Sequence, residues 1–162
     1  MLQRFFTAFL LLLVSGATTF GQSPCVNGLA GGFPCENVDL IGFMASNELG
    51  GGSNMNDIWG WTDPVDSSEY VLLGRSNGTA FINISDPLNP FLVADLPTET
   101  TSSLWRDVKV HDNHAFIVAE AGGHGMQVVD LTQLSAIANP PQTITADALY
   151  TGWGNAHNIV IN

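Results

Sequence analysis

The 162-residue chain predicts an all-β fold of propeller-like blades, each built from four antiparallel strands. Two observations carry that prediction. Asp57-Ile58-Trp59 recurs as Asp107-Val108-Lys109-Val110 fifty residues on, and again as Asn158-Ile159-Val160-Ile161 after a further fifty-one. A second element repeats in step: Gly78–Ser85 matches Gly125–Thr132, the two glycines standing 47 positions apart. Tyr70-Val71-Leu72-Leu73 and Ala115-Phe116-Ile117-Val118 lie between the two elements in successive copies. A sandwich of unrelated strands would not keep two elements in register.

Each run is four to eight residues of Val, Ile, Phe and Leu, closed by Gly, Asn, Asp or Pro. That is the composition of strands and tight turns. Turn punctuation falls at Asp63-Pro64, Asn77-Gly78, Asp86-Pro87, Asn89-Pro90, Asp112-Asn113, Gly122-Gly123 and Pro140-Pro141. The first blade (about 56–97) is therefore expected to hold strands near 56–61, 70–75, 79–85 and 91–96. The second (about 105–150) is expected to hold strands near 106–111, 114–120, 125–131 and 142–149. A third begins at about 156–162. One short helical stretch, Leu131 to Ala138, interrupts the pattern.

The segment before the blades reads differently. Arg4 followed by the apolar run Phe5 to Val14 and the small residues Ser15 to Gly21 has the form of a secretory signal. It is short of the ~20 residues that span a bilayer. Residues 1–21 are thus expected to be a signal peptide, with an uncleaved anchor as the alternative. No later stretch is apolar and long enough for a transmembrane helix. Residues 22–55 carry Cys25 and Cys35, the only two cysteines, and a glycine-rich linker, Gly50-Gly51-Gly52-Ser53-Asn54. An exported chain meets oxidising conditions, so the pair reads as a disulfide, against a two-thiol metal clip.

Charge narrows the partners. Four Lys and Arg stand against 15 Asp and Glu, for a net charge of −11. A surface of that sign repels phosphate, which excludes nucleic acid. An extracellular protein or a glycan remains open as a partner. Nothing in the sequence reports oligomeric state.

Residues 79–93, from Thr79 through Asn83, Asp86-Pro87 and Asn89-Pro90 to Val93, resemble the LVIVD repeat: an apolar strand, Asp-Pro, Asn-Pro and another apolar strand. Cys25–Gly28, Asn56–Trp61, Ser76–Phe81, Leu104–Asp107, His124–Val128 and Asn155–Ile159 extend the likeness across residues 25–162. Over that span the chain is similar to the choice-of-anchor B family of secreted bacterial proteins. The resemblance implies an extracellular, propeller-like domain with no established enzymatic activity, further blades beyond Asn162, and low stability for the present chain alone.

Candidate site residues follow from the repeat. Asp57, Asp107 and Asn158 share one register at the start of each blade's first strand. Their oxygens can converge on a hard cation such as Ca²⁺ or bond backbone amides. His157, Trp59 and Trp105 are candidate ligand-facing residues; four tryptophans can equally pack between blades. His111, His114 and His124 sit in turns. No Gly-x-Ser-x-Gly elbow, phosphate loop or defined carboxylate pair is present, and no catalytic residue is assigned. The expectation is a secreted or surface-associated binding module without cofactor. The alternatives are a hydrolase or lyase with catalytic groups in further blades, and a calcium-stabilised surface protein.

Overall fold

The computed structural model describes residues 22–52 and 54–162. The expected signal segment, residues 1–21, lies outside the described residues. Two sheets account for the blades. Strands β3 (Met55–Thr62), β4 (Glu69–Arg75), β5 (Gly78–Asn83) and β6 (Phe91–Pro97) run as a consecutive antiparallel meander. Strands β7 (Arg106–His111), β8 (His114–Ala119) and β9 (Met126–Asp130) begin a second meander, completed by β11 (Ala148–Tyr150). Before them lies a small hairpin of β1 (Leu29–Ala30) and β2 (Phe33–Pro34), closed by the Cys25–Cys35 disulfide with Cα atoms 5.9 Å apart.

The fold is all-β, and each of the two large sheets contains a four-stranded antiparallel unit, as in propeller blades. A Greek-key sandwich would send successive strands to opposite sheets. The two sheets pack face to face. Trp61, Tyr70, Leu72, Phe81 and Leu96 of the first meet Val108, Ala115, Ile117 and Val129 of the second, all buried. Each such side chain contributes about 1.5–3 kcal/mol relative to exposure in water. Two side chains also bridge the sheets: Trp61 Nε1 donates to Asn113 Oδ1 (3.1 Å) and Gln127 Nε2 to the Pro97 carbonyl (3.1 Å).

The fourth strand of the second blade departs from the sequence expectation. Instead of one strand over 142–149, the chain forms two short ones. Strand β10 (Gln142–Thr143) pairs in parallel with β6 as a fifth strand of the first sheet, and only Ala148–Tyr150 joins β9. The chain thereby covers the exposed edge of the first sheet before returning to its own, a common way of protecting strand edges. The helical stretch is a 3-10 turn over Leu131–Ala136, with the Asp130 carboxylate accepting from the Thr132 amide. Residues 157–162 form no ladder, although Ala156 N donates to the Ala119 carbonyl.

The outer face of the first sheet is also covered. Met44 and Leu49 pack on Ala80, Ile82 and Leu92. The glycine-rich segment that follows is pinned rather than free. The Arg75 guanidinium donates to the carbonyls of Leu49 and Gly51 and pairs with Asp95. Gly50, Gly51 and Gly52 all hold positive φ, and a Cβ on Gly50 would stand 2.8 Å from Arg75 Nη1. Only glycine passes so close to the guanidinium in that conformation.

Candidate functional site

The shared register of Asp57, Asp107 and Asn158 becomes a seam between repeats. A β-bulge between Met55 and Ile58 turns Asp57 toward the second sheet. There its Oδ2 accepts the backbone amide of Val108 at 2.8 Å. One repeat later, Asp107 Oδ2 accepts the amide of Ile159 at 2.7 Å, with Asn158 Nδ2 at 3.5 Å from the same oxygen. Each aspartate therefore holds the next repeat by the strand position adjacent to its own equivalent.

Lys109 completes the seam. Its ammonium contacts Asp107 Oδ1 and lies 3.5 Å from Asp57 Oδ2 and 3.0 Å from the Val108 carbonyl. It also sits 4.7 Å from the Trp59 ring centroid, a cation–π geometry. The place proposed for a hard cation between these acids is thus filled by a lysine. Burial alone would raise the Asp107 carboxyl. Its contacts with the Asp57 side chain, Lys109 and the Ile159 amide outweigh that and hold it below the usual carboxylate value. No grouping of three or more His, Cys, Asp or Glu able to hold a metal occurs among the described residues.

A second cluster joins three distant segments. His157 Nδ1 lies 2.9 Å from Glu120 Oε1, and the His157 ring is 5.6 Å from that of Trp105. Glu120 is placed by its own amide, which donates to the Trp105 carbonyl (3.1 Å). Trp105 is 52% exposed, and Trp59 is 40% exposed despite Lys109 above it. Trp153 sits edge-on to Tyr150, with centroids 4.7 Å apart. Of the four tryptophans, Trp61 alone is buried between the sheets.

Neither His111 nor His114 joins a ligand set: His111 is exposed, and His114 Nδ1 bonds the Asp112 carbonyl at 2.8 Å. His124 is fully buried. Its Nδ1 faces the Gly125 carbonyl (3.1 Å), which can only accept, so the proton resides there. Nε2 then accepts from Arg106 Nη1 at 3.0 Å. Arg106 further donates to the Arg75 carbonyl (3.1 Å) and Thr98 Oγ1 (2.8 Å). Burial, with the charge of Arg75, brings the Arg106 guanidinium down to about 10.

Burial, reinforced by the Arg106 charge, lowers the His124 pKa below 6.5, against an opposing pull from the Gly125 carbonyl. The unfolded chain therefore takes up a proton at higher pH than the folded one. His124 contributes stability above about pH 6.5, and that stability falls away as the solution is acidified below it. Melting temperatures between pH 7.5 and 5 are expected to decline in the native protein and to decline less in His124→Gln. Parallel curves would refute the assignment.

No family profile, no curated protein and no solved structure matches the chain. The site must be read from its own geometry. Sequence reasoning found the aspartate register and set Glu120 aside as one of several carboxylates with no defined partner, but it missed the roles of Lys109, Arg75 and Arg106. A signal was present: beyond Arg4, this acidic chain has only those three cations, and all lie within apolar strands. Cations so scarce and so placed pair with something internal.

Proposed function

We propose that the chain is an exported, propeller-like interaction module of the LVIVD-repeat type. It acts at or outside the cell surface by binding a protein or glycan rather than by catalysis. The observation that carries this reading is the repeated seam, Asp57 to Val108 and Asp107 to Ile159. Such a seam stacks sheet units into a rigid scaffold whose loops are free to carry recognition. The Cys25–Cys35 disulfide favours an oxidising compartment. No helix among the described residues is long and apolar enough to cross a membrane.

Fractionation of bacteria expressing the whole chain tests the location. The protein is expected in the envelope or medium, beginning near Gln22, with no free thiol. Cytoplasmic retention with two reactive thiols would contradict export. Exposure of the same material to protein and glycan arrays tests the role. Reproducible capture of one ligand class, unchanged after incubation, is expected; chemical turnover of that ligand would overturn the binding role.

A further inference from the structure

We propose that Trp105, Glu120 and His157 form a subsite for a neutral saccharide, an inference that rests on the binding role proposed above. Three observations converge on it. First, the Trp105 indole is left 52% exposed beside the β7 edge of the second sheet, next to Leu104, which is also exposed. Large apolar groups gathered at a surface mark contact sites more often than solvated ones. Second, the polar groups beside the indole are fixed: Glu120 Oε1 holds His157 Nδ1, and the imidazole lies against the indole. Third, His157 Nε2 and Glu120 Oε2 take no hydrogen bond among the described residues, and both side chains are open to solvent. An apolar plate flanked by two free polar atoms matches a pyranose ring, which presents C–H groups on its face and hydroxyls at its rim.

Other stacking ligands fit less well. A nucleobase brings phosphate, which meets a net charge of −11 and no cation in the cluster. An ammonium ligand is already served elsewhere in this fold, by Trp59 with two carboxylates around Lys109. At Trp105 there is one carboxylate, and its Oε1 already faces His157 Nδ1.

The test is fluorine NMR of the full chain carrying 5-fluorotryptophan, with resonances assigned by single Trp→Phe substitutions. Oligosaccharides of glucose, xylose and N-acetylglucosamine are titrated in turn. A saturable shift of the Trp105 resonance with at least one series is expected. Trp105→Ala should weaken binding about tenfold or more, Glu120→Gln should weaken it several-fold, and Trp105→Phe should retain part of it, as stacking requires. Circular dichroism confirms that each variant is folded. A response confined to Trp59 or Trp153 would overturn the subsite while leaving a binding role in place. Silence of all four tryptophans overturns the subsite, and the array experiment then decides the binding role separately.

Discussion

Replacing Arg75 with methionine is expected to destabilise the protein by about 3 kcal/mol, or roughly 10 °C in melting temperature. Arg75 is fully buried and holds two carbonyls of the 49–51 segment as well as the Asp95 carboxylate. Methionine fills the stem's space but strands all three acceptors. The figure sits at the low end for a broken buried pair because the Asp95 side chain keeps 24% of its exposure. Neutralising the orphan should recover part of the loss, so Arg75→Met with Asp95→Asn is expected to melt above Arg75→Met alone. The damage should also be local. With its clamp gone, the segment that lays Met44 and Leu49 on the first sheet opens, and chymotryptic cleavage between Phe43 and Leu49 should accelerate. Unchanged urea midpoints and cleavage rates would show that the guanidinium is not holding the segment.

The second large effect is at the seam. Asp57→Ala removes the acceptor of the Val108 amide, and Val108 is wholly inside the core. A buried donor left unpaired costs about 1–3 kcal/mol, and Lys109 loses one of its two counter-ions as well, so a loss of about 2 kcal/mol is expected. Asp57→Asn keeps an oxygen for the amide and should lose about 1 kcal/mol or less. Asp107→Ala is expected to fall between them, because the Ile159 amide it releases lies in a less enclosed segment. Urea denaturation of the three variants gives the order directly. Equal losses for Asp57→Ala and Asp57→Asn would mean that charge, not the amide bond, dominates.

How much of this was legible in the sequence depends on how local each cause is. The strand at 106–111 is found at Arg106–His111. β-branched residues between an Asp-Asn turn and a polar loop leave little choice. The strand expected at 142–149 split because pairing is not local: β6 offered an open edge to Gln142–Thr143, and no pattern within those residues says which sheet they will join. The aspartate register was readable from spacing. What those aspartates hold was not, since Lys109 and the two amides become their partners only when the sheets stack. Composition alone called 50–54 a flexible linker; Arg75, more than twenty residues away, decides otherwise for Gly50 and Gly51. The Glu120–His157 pair joins residues 37 positions apart, and nothing in the string around His157 says that Glu120 is its partner.

Hydrogen exchange at two single amides puts the stacked-repeat architecture most directly at risk. The prediction is reciprocal: Asp57→Ala accelerates exchange of the Val108 amide and leaves Ile159 near its native rate, whereas Asp107→Ala accelerates Ile159 and spares Val108. If both amides exchange at native rates in both variants, the aspartates do not join successive repeats, and the seam on which the fold and its proposed role depend does not exist.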